Sequence, residues 1–353
     1  MTPDLREAFE HQGVACAALG SPFMERWCNT VLDCIDPDSK LAARLLNWDV
    51  GRLRGTHDAV ALRLAGGMHL LRLQGDAVLD AVYPPHQVDD IPFRAGLTAA
   101  LALHDTVLTA ALDQPPQTNE VRRAAVIIAA GHWLTARTGK MLVTSEVGAS
   151  AGLNLNWDFF CLHAGDTVLG PGDSPVILSP EWRGTPAHAC PAYVAEARGV
   201  DIATIDPGDP REALRLQSYL WPDQQDRLDR TRAAVGLFNA PDTEGRVDEG
   251  DALAWLPERL APRPGHCRMI YSTIAWQYLG DRRTEGEAMI AAAGAQATAN
   301  SPLAWFTMEP DGQSPGAKLT MHLWPGDEPA QILDFGRVDF HGRWVDWQAP
   351  DPA

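Results

Sequence analysis

The stretch Met141-Leu-Val-Thr-Ser-Glu146-Val-Gly148-Ala-Ser150-Ala-Gly152-Leu-Asn154-Leu holds the chain's densest set of residues able to do chemistry. An apolar run ends in Glu146, and a turn of small residues follows. Gly148 lets the chain turn without a Cβ clash, residues 149–151 keep the turn thin enough for a ligand to lie against backbone, and Gly152 permits close packing of the next segment on the strand. Glu146, at the strand's carboxyl end, can accept hydrogen bonds from a ligand's polar groups. Three readings fit this spacing. As acid-x-Gly-x-x-x-Gly it is the strand–turn–helix loop with which doubly wound folds hold a nucleotide-type cofactor. Gly148-Ala-Ser150-Ala-Gly152 also matches G-x-S-x-G, which would make Ser150 the nucleophile of a hydrolase elbow. The third reading is a small-residue turn that binds nothing.

The hydrolase reading needs a serine, an acid and a histidine in that chain order, and Ser150, Asp251 and His322 or His341 supply it. It also needs strands before the nucleophile and an oxyanion loop of HGGG type, whereas the chain before Met141 reads as helix. His341 can serve as a base at the end of the last strand or as a hydrogen-bonded turn residue. His132, mid-helix beside Trp133, reads as a packed residue. Arg198 and Arg343 suit a substrate carboxylate or ordinary ion pairs. The 12 tryptophans suit aromatic walls around a planar or cationic substrate, or a core. Asn154 and Asn156 can reach a ligand or cap a helical turn.

These residues depend on the elements around them. Residues 1–115 read as mainly helical: apolar positions recur at three-to-four spacing over 5–19, 23–35, 41–46 and 94–112, while 60–78 fits strand or buried helix. Asp113-Gln-Pro-Pro-Gln-Thr marks a domain boundary. Thr118 or Asn119 caps a helix that Gly139 ends. After Gly152 a helix is expected to about Leu162, followed by a hairpin insertion near 165–190. A strand ending at Gly199-Val-Asp201 comes next, then helices over 209–220 and 224–237, a short strand into Gly250-Asp251, and a helix. A strand over 267–273, a helix over 285–299 and a strand over 303–309 follow, and 318–324 with 335–347 form a terminal antiparallel hairpin. Alternating strands and helices predict an α/β fold with a Rossmann-like, mostly parallel sheet, helices on both faces and a terminal antiparallel hairpin, preceded by a mainly helical N-terminal cap. The expected domains are a helical cap or substrate domain over 1–115 and a nucleotide-binding domain over 116–353.

The chain of 353 residues carries 46 acidic and 29 basic side chains, a net charge of −17. Neutralising phosphates requires clustered Lys and Arg, so this balance excludes a nucleic-acid partner and disfavours an acidic membrane surface. A neutral or cationic small-molecule substrate fits better. Its six cysteines form no C-x-x-C pair, which argues for reduced thiols and against a metal centre. The start, Met-Thr-Pro-Asp-Leu-Arg-Glu, has no apolar targeting core, and no run reaches the ~20 apolar residues of a membrane span, so the expected location is the cytoplasm. Oligomeric state, pathway and the identity of the substrate have no signature in these residues.

Over residues 119–347 this succession resembles the class I methyltransferase fold, whose enzymes use S-adenosylmethionine. The resemblance implies that Glu146, Gly148, Ser150 and Gly152 line the methionine part of that cofactor, with Ser150 in the place of a glycine. It implies that Asp201 holds the ribose hydroxyls, that Gly250-Asp251 meets the adenine, and that Ser272, ending the fourth strand, lies beside the methyl group. Trp276, Gln277, Tyr278 and, at the end of the next strand, Glu309 would contact the acceptor. The chemistry would be an in-line displacement, a matter of positioning that does not require a strong base. Over nearly its whole length the chain also resembles an uncharacterised bacterial family, domain of unknown function 2332, through Ser145-Glu-Val-Gly-Ala-Ser-Ala-Gly-Leu-Asn-Leu, Tyr219-Leu-Trp-Pro-Asp-Gln224, Ile274-Ala-Trp-Gln-Tyr-Leu279 and Phe340-His-Gly-Arg-Trp344. Beside methyl transfer stand a Ser150 hydrolase, a dinucleotide oxidoreductase with Asp201 on an NAD ribose, and a non-catalytic relic of a cofactor fold.

Overall fold

The structure is a computed structural model that describes residues 1–53, 58–241, 243 and 245–352. Contacts divide the chain into two compact units, Met1–Thr118 with Asp209–Asp229, and Asn119–Gly208 with Arg230–Ala353.

The first unit is helical, as its periodicity predicts. Pro3–Ala18 and Pro22–Val31 start on Thr2 and Ser21, whose side chains accept the N–H groups of Leu5 and Met24. The ambiguous stretch is the helix Val60–Leu73. The single stripe expected over 94–112 is two helices, Asp90–Leu103 and Asp105–Ala111. The break falls at His104, whose Nε2 pairs with Asp76 Oδ2 at 2.6 Å and whose backbone leaves helical geometry. Trp27, Phe9, Leu64, Met68, Leu97 and Trp221 share one core. Trp221 comes from Tyr219-Leu-Trp-Pro-Asp-Gln224, so that segment serves helical packing.

The second unit is built on strands. In chain order they are β1 Met141–Val147, β2 Cys161–Ala164, β3 Thr167–Leu169, β4 Ile177–Leu178, β5 Glu181–Gly184, β6 Val194–Asp201, β7 Arg246–Glu249, β8 His266–Thr273, β9 Leu303–Glu309, β10 Ala317–Trp324, β11 Gln331–Val338 and β12 Trp344–Trp347. Among the described residues, nine of them form one sheet in the order β5-β12-β11-β10-β9-β8-β1-β6-β7, and β3-β2-β4 form a small second one. The five strands β7, β6, β1, β8 and β9 are parallel, whereas β10, β11 and β12 continue the sheet antiparallel. This is the Rossmann-like α/β sheet that the alternation predicts, with its terminal antiparallel strands.

Both faces of the sheet are covered. Neighbouring residues of a strand point to opposite faces. On β9, Trp305 joins Ile270, Val147 and Ile290 in a core beneath the helices Ala252–Leu260 and Arg283–Gly294. Phe306 points the other way and meets Phe335, on which Trp133 of the helix Ala124–Thr138 packs edge-on at 5.0 Å. Gly139 ends that helix at φ +63°, in the left-handed cap expected of it.

Three local expectations fail. The segment after Gly152 is no α-helix but a 3-10 segment, Leu153–Phe159, kinked at Asn156 and running into β2. Leu153, Leu155 and Trp157 are all fully buried, so no wet helical face exists, and Trp157 fills the space where Gly131 lacks a Cβ. Asn119 caps nothing of its own helix; its Oδ1 accepts the Leu153 N–H at 2.8 Å and fastens that segment instead. The insertion near 165–190 is richer than a hairpin, because β5 leaves it to pair in parallel with β12. Among the described residues no helix is long and apolar enough to cross a membrane.

Candidate functional site

Numbered within the parallel part of the sheet, the strand order is 3-2-1-4-5, so the winding reverses between β1 and β8. Open α/β sheets bind ligands outside the carboxyl ends of their strands at such a reversal. A cleft of about 400 Å³ lies there, within the ~300–1,000 Å³ usual for small-molecule sites. The ends of β1, β6 and β7 supply Gly148, Asp201 and Asp251, and the exit loop of β8 supplies Ala275, Tyr278 and Arg282.

The loop after β1 is tied to its neighbours through its own backbone. Gly148 and Ala149 donate their N–H groups to Val200 O at 2.9 and 3.1 Å. Ser150 donates its N–H to Asp201 Oδ2 at 2.8 Å, and Gly152 donates to Ala149 O at 2.8 Å. Asp201 Oδ1 accepts the Ala203 N–H at 3.1 Å, so each carboxylate oxygen holds one backbone donor and keeps a lone pair for a ligand. Gly148 and Gly152 take φ +76° and +72°, as their place in the turn requires. A Cβ on Gly148 would overlap the Ala275 methyl, and one on Gly152 would overlap Val247.

Asp251 begins the helix Ala252–Leu260. Its Oδ1 accepts the Ala254 N–H at 3.0 Å, and its Oδ2 accepts from Arg282 Nη1 at 2.7 Å. That N-cap hydrogen bond, then the Arg282 guanidinium, hold its carboxyl below the usual range. Beside these polar groups stand two apolar side chains left open to solvent, Ile202 at 81% and Tyr278 at 80% exposure. Both line the cleft. Large exposed apolar groups lining one concave site mark a place for a flat apolar ligand surface.

Two non-glycine residues at the switch point adopt left-handed backbone: Ser150 at φ +53°, after β1, and Ile274 at φ +57°, after β8. Each such residue costs about 1–3 kcal/mol and persists only where its surroundings over-determine it; such residues cluster at functional sites. For β-branched Ile274 the conformation is a genuine outlier.

Several expected residues lie elsewhere. Among the described residues, the cleft wall includes Gly148, Asp201, Asp251 and Tyr278 but not Glu146, Ser150, Gly152, Ser272, Trp276, Gln277 or Glu309. Glu146 follows from strand alternation: Val147 faces the cleft, so Glu146 points to the opposite face, fully buried. There the Tyr271 hydroxyl lies 3.4 Å from both Glu146 Oε2 and Asn154 O, and its single proton serves one of them. Burial, against the Tyr271 hydrogen bond and aided by the Asp201 charge, pushes Glu146 up to about 8. It is therefore largely protonated at neutral pH. Trp276, 4% exposed, packs at 5.0 Å on Trp305 over Gly286 in the core. Glu309, at the end of β9, accepts at Oε1 from Ser272 Oγ (3.0 Å), Ala275 N–H (3.0 Å) and Trp276 N–H (2.9 Å), while burial raises its pKa. Gln277 lies half-buried in the same loop, in the 3-10 segment Trp276–Arg282.

Among the described residues, Ser150 has no base hydrogen-bonded to its hydroxyl, and its Oγ is buried without a hydrogen-bond partner. Asp251 is engaged as described, and His322 stacks between Trp305 and Trp324 at 4.8 and 6.1 Å. Arg198 and Arg343 pair with Asp248 and Asp339. Among the described residues no group of three or more His, Cys, Asp or Glu is placed to hold a metal ion. Sequence reasoning did not single out Ile202 or Arg282. An apolar residue directly after a strand-ending acid is a usable signal for the first; Arg282 carries none.

No curated protein matches the chain. The match of residues 6–347 to one family's pattern agrees with the motifs at Ser145, Tyr219, Ile274 and Phe340: the chain belongs to the family described as uncharacterized protein conserved in bacteria (DUF2332).

Proposed function

We propose that this protein is a methyltransferase that uses S-adenosylmethionine and acts on a small molecule. One observation carries the reading. The cleft sits at the switch point with an acid at the end of β6, yet the backbone N–H groups of Gly148, Ala149 and Ser150 are spent on Val200 O and Asp201 Oδ2. A pyrophosphate needs such donors free at the loop and helix start. What remains suits a nucleoside without phosphates. Asp201 keeps lone pairs for ribose hydroxyls, and Ile202 and Tyr278 offer apolar faces to a purine. The local carboxylates favour a cation over an anion.

Bound there, the sulfonium cofactor would supply an activated methyl group for a single displacement. The chain's own part is to hold the nucleoside through Asp201, Ile202 and Tyr278, and to keep the loop after β1 thin through Gly148. Asp251 and Arg282, paired with each other, line the same cleft. None of these groups needs to change protonation, in keeping with a reaction dominated by orientation.

Thermal melts with a panel of adenosine compounds test this. S-adenosylmethionine, S-adenosylhomocysteine and adenosine should raise the melting temperature, since a ligand at 100 times its Kd adds about 2.7 kcal/mol. NAD and ATP should leave it unchanged. Stabilisation by NAD or ATP alone would contradict the reading.

A further inference from the structure

The exit loop of β8 carries one wall of the cleft, and it starts in strained backbone. Ile274 adopts φ +57°, and its N–H donates to Met308 O at 2.8 Å. Side chains branched at Cβ avoid this region, so something beyond local preference must hold it. The donors flanking Ile274, namely Ser272 Oγ–H, Ala275 N–H and Trp276 N–H, all converge on one atom, Glu309 Oε1. Glu309 Oε2 is buried and has no hydrogen-bond partner. A carboxylate with three donors on one oxygen and none on the other is organised around the loop it grips.

The consequence reaches the cleft through two contacts. Ala275, the residue gripped by its N–H, sits so close to Gly148 that no Cβ fits there. Three residues further on, Tyr278 lines the cleft while largely exposed. The loop's far end is fastened separately: Gly280, at φ +57° and ψ −127°, breaks the 3-10 segment, and Arg282 then binds Asp251 and Glu285.

We propose that Glu309 is a positioning residue: its carboxylate clamps the left-handed turn at Ile274, sets Ala275 against Gly148 and Tyr278 along the cleft, and so governs affinity for an adenosyl ligand that it does not touch. The last clause rests on the function proposed above; the clamp itself does not.

The test combines hydrogen exchange with ligand binding. Backbone exchange over residues 274–279 is followed by mass spectrometry in the wild type, Glu309→Ala and Glu309→Gln, and S-adenosylhomocysteine binding is measured by calorimetry. Glu309→Ala should speed exchange of this segment at least tenfold and weaken binding at least tenfold. Glu309→Gln keeps a carbonyl acceptor and should stay within about threefold of wild type in both. Ile274→Gly adopts the left-handed turn freely, so adding it to Glu309→Ala should recover part of the loss; if Glu309→Ala alone fails to fold, the Glu309→Ala/Ile274→Gly pair measured beside Ile274→Gly alone should still show faster exchange and weaker binding. Unchanged exchange in folded Glu309→Ala, or equal losses in Ala and Gln, would overturn the clamp. Exchange behaving as stated while the wild type binds no adenosyl compound would leave the clamp standing and remove the cofactor reading.

Discussion

The Ser150 backbone N–H donates to Asp201 Oδ2 at 2.8 Å, joining the turn after β1 to the carboxyl end of β6. The acid expected to hold a ribose is therefore also the partner that keeps Ser150 at φ +53°. Asp201→Ala should lower stability by ~1–3 kcal/mol, the cost of leaving a buried N–H unsatisfied. Asp201→Asn, which keeps one acceptor oxygen, should lose about half of that. Urea unfolding with an unchanged slope checks both.

Glu146 ties stability to pH. Its pKa rises from 4.5 to about 8 on folding, so the folded state binds this proton more tightly than the unfolded chain. The contribution is fully present below about 4.5 and disappears as pH rises through about 8, at about 1.4 kcal/mol for each tenfold in proton affinity. Glu146→Gln should flatten the decline in stability between those limits. Parallel slopes in the two proteins would show that Glu146 is charged throughout.

Gly148→Ala meets two obstacles, φ +76° and the Ala275 methyl. The backbone alone costs about 1–2 kcal/mol. Ala275→Gly in the same chain should return the steric part and leave the backbone part. A double-mutant cycle of unfolding free energies measures the coupling.

Trp276 and Tyr278, two residues apart, should behave oppositely. Trp276→Ala removes a core ring packed on Trp305 and should cost about 3–5 kcal/mol. Tyr278→Ala, at an exposed position, should stay within about 0.5 kcal/mol of wild type in stability and weaken adenosyl binding. A stable Trp276→Ala protein with lost binding would move that ring from the core to the ligand.

The contrast between these two residues shows what the sequence carries. Periodicity and glycine placement reveal local demands: the turn at Gly148 and Gly152, the cap at Gly139, and the acids Asp201 and Asp251 at the ends of β6 and β7 all follow from short-range signals. Trp276 and Tyr278 look alike in sequence because their fates are set by the helix Arg283–Gly294, which buries one and leaves the other exposed. Glu146 is misleading for a related reason: alternation alone places it opposite Val147, but only the assembled sheet shows which face holds the cleft. The sequence places Glu309 at a strand end, but its grip on the turn at Ile274 emerges only when β8 and β9 pair, since its three hydrogen bonds depend on that register.

The central claim is a phosphate-free adenosyl site at the ends of β1, β6 and β7. Calorimetric titration of the purified protein with S-adenosylhomocysteine, beside Asp201→Ala, tests it most directly. The account predicts a Kd of roughly 1 μM to 100 μM, about −8 to −5.5 kcal/mol, weakened at least tenfold in the variant. No heat of binding by the folded wild type up to about 1 mM ligand would contradict it.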